Sequence, residues 1–333
     1  MIEGQNTHKG KILVTGATGF LGRHLVSGIL AAGWEVRALV RNASGRDLSY
    51  LAGAEIAEGD VLDVASVEKA LDGVEQVVHA AAVVSFWRKK RAEMRKANVE
   101  GTANVVNCAL EAGIQRLVHI SSNGVFGGPP GLTIDESWRK PPGKGHSYYG
   151  KTKYYAEMEV YRAESEGLPM VMLNPGVVIG PGDWQAGPPK IFSVVYKGLR
   201  FYNRGGTSLV AVEDVVSAAI LGLEGKLTEG ERYLMVAETL PQKEFLGVVA
   251  EALGKKPPSV LLPAWVSLAV GYISEGIAFF TGKEPVISLE TMKSATRTTH
   301  YNSRKIEAAG LLFTPIREAI RRTAAAFLQD QRR

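Results

Sequence analysis

The reading turns on "KILVTGATGFLG", residues 11–22. A short run of Ile, Leu, Val and Thr has the composition of a buried strand, and it stops at Gly16. Glycines recur at 16, 19 and 22 before a helical pattern begins. A strand, a glycine-rich turn and a helix in immediate succession make a cradle for a pyrophosphate. Glycine lets the backbone turn tightly and approach the ligand closely, and the helix N-terminus favours negative charge. Both glycine intervals are three residues, and the candidate dinucleotide contacts are Gly16, Thr18, Gly19, Phe20, Leu21 and Gly22.

Working outward, "EVRALVR" (35–41), "EIAEGD" (55–60), "QVVHAAA" (76–82), "RLVHISS" (116–122) and "MVMLNPGVVIG" (170–180) read as strands two to six. Helical patterns separate them, notably over 92–112 and 150–166. Strands alternating with helices predict an α/β fold, a Rossmann-type doubly wound parallel sheet. The turn-rich stretch 127–145 interrupts the rhythm, and a loop of that length inside a domain is usually functional. After Gly182 the alternation becomes irregular. We expect a nucleotide-binding domain over 1–182 and 208–238, and a smaller, mainly C-terminal substrate-binding domain over 183–207 and 239–333, laid over the carboxyl ends of the strands where open α/β sheets bind ligands.

The 333 residues are 45% hydrophobic and 22% charged, with a formal charge of +5, as expected of a globular protein. The basic residues are spread along the chain, which argues against a nucleic-acid partner. A lone cysteine, Cys108, excludes an internal disulfide framework and suits a reducing cytoplasm. The first eleven residues are polar, so no secretory signal is expected. The six histidines lack metal-ligand spacing, so no metal is expected.

Sites for NAD usually carry an acidic residue at the end of the second strand for the ribose 2′-hydroxyl. This chain has Arg41 there, with Arg46 as a second contact, which favours the 2′-phosphate of NADP over NAD. Asp60 and Val61 end the third strand where the adenine would lie. The small Ala80 and Ala81 end the fourth and let backbone approach the dinucleotide, with His79 read as packed or backbone-bonded.

The motifs "TGATGFLG", "GDVLD", "HAAA", "NVEGT" (98–102), "HISSNGVFG" (119–127), "YYGKTK" (148–153) and "LNPGVVIGPGD" (173–183) occur in one order over residues 11–183. In them the chain resembles the extended short-chain dehydrogenases/reductases, the NAD-dependent epimerase/dehydratase superfamily. Within it the chain is most similar to the 3β-hydroxysteroid dehydrogenase and dihydroflavonol reductase branch. The resemblance implies that Tyr149 is the acid/base, that Lys153 tunes it and binds the nicotinamide ribose, and that Ser122 hydrogen-bonds the reacting oxygen. Tyr149 and Lys153 have the spacing that puts two residues on one helix face. A free tyrosine has a pKa near 10, so the lysine charge and the nicotinamide cation are expected to lower it. Ser122 is preferred to Ser121 by strand alternation and by its spacing to Val125 and Gly127. Asn98 is expected in a water relay or in a capping or packing role. The segment 174–180, with Pro175 and Val178, resembles the piece that contacts the nicotinamide amide. Helices like 92–112 and 150–166 commonly form a homodimer interface in this family.

Two reactions share this machinery: hydride exchange between an alcohol and a ketone on an apolar substrate, and epimerisation or dehydration of a nucleotide sugar. A third reading is a non-catalytic NAD(P)-binding protein, against which the intact Ser, Tyr and Lys set argues. Trp184, Phe192, Phe201, Tyr202 and the apolar run 260–280 favour a steroid-, flavonoid- or lipid-like substrate, with Phe86 and Trp87 as further lining. The run "LLPAWVSLAVGYISEGIAFF" (261–280) is expected to be a core or pocket-covering helix first, a peripheral membrane contact through 260–281 second, and a membrane span last. The basic "RKKRAEMRK" (88–96) reads as a solvated helix start, with an acidic ligand or anionic lipid as its sharper alternative. The expected location is cytoplasmic, with membrane association through 260–281 as the alternative.

Overall fold

The computed structural model describes residues 9–45, 47–128, 131–143, 145–281, 284–285 and 288–332. Seven parallel strands form the central sheet: β1 (Lys11–Thr15), β2 (Glu35–Val40), β3 (Glu55–Glu58), β4 (Gln76–His79), β5 (Arg116–Ile120), β6 (Met170–Pro175) and β7 (Arg232–Met235). Their spatial order is β7-β6-β5-β4-β1-β2-β3, doubly wound about β1. Alternation along the strands feeds two cores, one on each face, as a sheet covered on both sides requires. Ile12, Val14, Val78, Val118 and Val171 meet α1 (Phe20–Ala31) and a helix over Val212–Leu223. Leu13, Val77, Leu117, Met170 and Met172 meet helices over Val64–Leu71, Gly101–Glu111 and Tyr148–Ser165.

Local chemistry explains the ends of α1. Its C-terminus closes where Gly33 takes a φ of 87°. Trp34 N donates to Ile29 O and Gly33 N to Leu30 O, the crossed pair that satisfies the last carbonyls. Its N-terminus, at Gly19, has no side-chain cap and no acidic residue in the first turn.

Three elements differ from the sequence reading. The helix expected over 92–112 is interrupted: Arg91–Arg95 and Gly101–Glu111 are α-helical, and Lys96–Glu100 between them is a π-turn carrying Asn98. Such insertions mark sites where one residue must face a particular way. The sixth strand is two. After Pro175 the chain bends at Gly176, whose backbone lies so close to Ser208 that a Cβ would meet its carbonyl oxygen at 2.6 Å. Val177–Ile179 then joins a separate sheet with Gly206–Ala211 and Glu238–Pro241. The apolar run is not a core helix. Of Ala264–Thr281 only Ser267, Gly271 and Ala278 are buried, because the helix turns its small and polar residues, rather than its large ones, to the protein.

Candidate active site

The site grows from the N-terminus of the helix Tyr148–Ser165, designated α2. Ser147 caps it by accepting from Gly150 N at 3.0 Å. Gly150 is required by a close crossing: a Cβ there would lie 2.4 Å from Gly124 O. That crossing brings the turn after β5 against α2 and with it Ser122, which caps the turn through Gly124 N at 3.1 Å and is hydrogen-bonded to the Tyr149 hydroxyl. Ser121 points the other way, into the protein, and donates to Glu157 Oε1 at 2.6 Å. Phe86 stands edge-on to the Tyr149 ring, centroids 6.3 Å apart.

Lys153, one turn along α2 from Tyr149, is 1% exposed. Its Nζ donates to Ile120 O at 2.8 Å and lies 3.5 Å from His119 Nε2. Burial pulls its pKa down to about 8, against the opposing pull of Glu157. Tyr149 keeps part of its surface open, yet the protein packed around its hydroxyl pushes its pKa up to about 12, with only the Ser122 hydrogen bond acting the other way. The net direction is opposite to the lowering expected from the lysine charge and the nicotinamide cation together. Desolvation of the phenol is the larger influence on Tyr149.

Beneath the pair runs a row of buried polar groups that strand register aligns. Thr15 pairs with His79 across β1 and β4, and His79 with His119 across β4 and β5. The Thr15 hydroxyl and His79 Nδ1 are 2.7 Å apart, and His79 Nε2 is 2.9 Å from the Thr102 hydroxyl. His79 is thus bonded by hydroxyls rather than by backbone. Burial, with the Lys153 charge, brings its pKa down to about 3, so it stays neutral. Asn98 spends its side chain on positioning: Oδ1 accepts from Val83 N at 2.7 Å, and Nδ2 donates to Val83 O at 3.0 Å and to the Thr152 hydroxyl at 2.9 Å. It ties the segment carrying Phe86 and Trp87 to α2.

Sequence reasoning missed the carboxylate below Lys153. Glu157 is fully buried and surrounded by donors: Ser121 and Asn174 Nδ2, each 2.6 Å from Oε1, and Arg232 Nη1, 3.4 Å from Oε2. Desolvation raises its pKa while these donors oppose the rise. Arg232 also donates to the carbonyls of Glu136 and Trp138 and lies 4.5 Å over the Phe126 ring, fastening the 127–145 loop to the floor of the site. The signal was present, since an acidic residue four positions after Lys153 continues the buried face of α2.

A dinucleotide fits the turn after β1. A Cβ at Gly16 would meet Ala81 N at 2.6 Å and one at Gly22 would meet Gly16 O at 2.0 Å, so both glycines are fixed by packing against the ends of β4 and the turn itself. Gly19 has no such neighbour beyond Gly16 O at 3.2 Å; its bareness leaves the uncapped N-terminus of α1 open to an anion. Thr18 lies in this turn, and Phe20 packs on Gly182, where a Cβ would come within 2.6 Å of its ring. Leu21 belongs to the first turn of α1, partly buried. Arg41 is exposed directly after β2; Arg46 lies outside the described residues. Asp60 Oδ1 turns the chain by accepting from Leu62 N at 3.0 Å, and Val61 packs against Gly101 with its carbonyl held by Asn104. Ala80 and Ala81 bond back to Thr15. Pro175 ends β6 and Val178 lies in the next sheet. Among the expected lining residues, Trp87 lies under Lys89 at 5.4 Å. Trp184 instead belongs to a core: it donates to Asp330 at 2.8 Å and packs edge-on to Phe192 and Phe327.

Comparison with known proteins agrees with this architecture. Residues 12–234 match the model of the "NAD dependent epimerase/dehydratase family". The chain is 32% identical over 324 residues to sterol demethylase protein B of Methylococcus capsulatus, covering 95% of this chain and 97% of that one. It is 31% identical over 271 residues to a 4-hydroxy-2-methyl-3-oxo-4-farnesyl-3,4-dihydroquinoline-1-oxide ketoreductase of Stigmatella aurantiaca, covering 80% of each. The crystal structure of gox2253 superposes with a TM-score of 0.82 at 32% identity, covering 97% of this chain and 99% of that chain.

Proposed function

The chain belongs to the NAD dependent epimerase/dehydratase family, as an oxidoreductase of the short-chain dehydrogenase/reductase type, and from that premise we propose that it exchanges a hydride between NADP(H), in preference to NAD(H), and a secondary alcohol or ketone on an apolar, steroid-, flavonoid- or lipid-like substrate. The observation that carries this reading is the Ser122–Tyr149 hydroxyl pair with the Phe86 ring set against it. Two hydroxyls can meet one carbonyl oxygen, and an aromatic wall beside them suits an apolar body. Two relatives carry names pointing to a sterol and to a farnesylated ketone.

The nicotinamide supplies or accepts the hydride. The chain's own part is proton management. In reduction, Tyr149 Oη gives its proton to the carbonyl oxygen while Ser122 Oγ donates a hydrogen bond to that oxygen. A pKa pushed up to about 12 keeps Tyr149 in the acid form that reduction needs. The tyrosinate left behind is stabilised by the charge of the Lys153 ammonium, one turn along α2 and anchored on Ile120 O. Asn98 acts as a positioning residue through Val83 and Thr152. The exposed Arg41 would meet the 2′-phosphate. A homodimer through the helices Gly101–Glu111 and α2 belongs to the same proposal.

A specific feature favours the nucleotide-sugar alternative. Arg204 and Arg297 are both exposed and sit on neighbouring segments joined by Gly206 N donating to Arg297 O at 3.1 Å, where two guanidiniums could neutralise a diphosphate. The deciding experiment follows NADPH and NADH oxidation by the purified protein across steroid, flavonoid and long-chain ketones, with nucleotide sugars in parallel. Turnover of apolar ketones supports the first reading; conversion of a nucleotide sugar alone replaces it with the second.

A further inference from the structure

The helix Ala264–Thr281 is inside out for an element surrounded by water. Two of its polar side chains face the protein: the Ser267 hydroxyl donates to Asn203 Oδ1 at 2.5 Å and Glu275 Oε1 accepts from Leu289 N at 3.1 Å. Gly271 lies against Leu289, where a Cβ would be 3.0 Å from its Cα. The opposite face presents Trp265, Tyr272, Ile273, Ile277 and Phe280, 74%, 62%, 62%, 59% and 88% exposed. Their spacing of seven, one, four and three puts them on one side of a helix, and Glu275, the only charged residue in the helix, is turned away from them. The apolar face runs from Trp265 to Phe280, nearly the whole of the 18-residue helix, about 24 Å at the helical rise.

A second feature says what covers that face. The basic segment 88–96 lies at its C-terminal end: Lys89 Nζ is 5.6 Å over the Phe279 ring, and Arg88 and Lys89 are exposed. We propose that the helix lies in the interface of a lipid bilayer bearing anionic headgroups, its large side chains in the headgroup–acyl boundary and Arg88 and Lys89 on the phosphates. A crossing orientation would pull the helix away from Asn203 and Leu289. A second copy seated there about a two-fold axis parallel to the helix would set one basic segment against the other. Docking does not depend on the catalytic reading, although an apolar substrate would then be met in the phase where it dissolves.

Sedimentation of the full chain with vesicles tests this without any turnover, so its failure is distinguishable from failure of the catalytic proposal. The protein should bind vesicles of phosphatidylcholine mixed equally with phosphatidylglycerol, bind phosphatidylcholine alone weakly, and be released by salt. Arg88→Gln with Lys89→Gln should lower the affinity about 30-fold, about fivefold for each charge. Ile273→Ser with Phe280→Ser should abolish binding while circular dichroism and NADPH binding stay as in the parent. No binding of the parent to the anionic vesicles overturns the proposal, as does binding unchanged in both variants. A dimer that Ile273→Ser with Phe280→Ser converts to monomer, in a protein that ignores vesicles, overturns it in favour of a second copy.

Discussion

Replacing Glu157 by Gln should damage both the fold and the pH response, by amounts that follow from its surroundings. The side chain is fully buried, with hydrogen bonds of 2.6 Å from Ser121 and from Asn174 and Arg232 at 3.4 Å. Gln keeps an oxygen for the first two, but a hydrogen bond to a charged acceptor is worth about 1 kcal/mol more than one to a neutral acceptor, so about 2 kcal/mol goes there. Its amide then presents a donor to the Arg232 guanidinium, leaving a buried charge without its carboxylate. Removing one partner of a buried pair costs about 3–5 kcal/mol, and the long Arg232 contact places the whole loss near 3 kcal/mol. The second effect has a defined sign. Glu157 is the charge that opposes the effect of burial on Lys153, whose pKa lies at about 8 with both acting. Charges four apart on a helix face lie about 6 Å apart, worth about 2–3 kcal/mol at an effective dielectric of 20, or up to about two pH units. Reduction needs the ammonium to stabilise the tyrosinate, so kcat/KM for reduction should fall as pH rises through about 8 in the parent. In Glu157→Gln that fall should begin one to two units lower. Urea unfolding reads the first quantity and a pH profile the second. A stability loss under about 1 kcal/mol, or an alkaline limb that does not move, would refute the reasoning.

Two further outcomes follow from the dinucleotide turn. Gly22→Ala puts a Cβ within 2.0 Å of the Gly16 carbonyl oxygen, a backbone atom that cannot step aside, so the turn must open; NADPH binding by fluorescence titration should be lost even if the protein still folds by circular dichroism. Arg41→Ala removes an exposed guanidinium with no partner to disturb among the described residues. It should weaken NADPH about 10- to 100-fold, the worth of a charge-assisted hydrogen bond, and leave NADH within about twofold; equal effects on the two would remove the 2′-phosphate assignment.

Much of this molecule was legible in its sequence because the first half obeys local rules. Strand runs ending in glycine or small residues, each followed by a helical pattern, leave few topologies open, and "YYGKTK" places Tyr149 and Lys153 one turn apart whatever the tertiary context. What escaped depends on contacts distant in sequence. β7 is only four residues long and begins with Arg232, and the short apolar run that follows cannot be told from a helix segment by pattern alone. The bend at Gly176 is set by Ser208, and the π-turn at Asn98 by bonds to Val83 and Thr152. The pKa of Tyr149 could not be read from its spacing to Lys153, since the direction of the ammonium and the degree of burial decide it. The run 261–280 read as core because apolar composition ordinarily means burial; only the positions of Ser267, Gly271 and Glu275 reveal which side faces the protein.

The central claim is that Tyr149 exchanges the proton that accompanies hydride transfer to an apolar ketone. Its most direct test compares the parent with Tyr149→Phe in NADPH-dependent reduction of the best ketone from the panel, with NADPH affinity measured on the same samples. The account predicts a fall in kcat/KM of about 10²- to 10⁴-fold, the range for a positioned general acid, with NADPH affinity within about threefold of the parent. Turnover retained to within about fivefold, with the cofactor still bound, would contradict it.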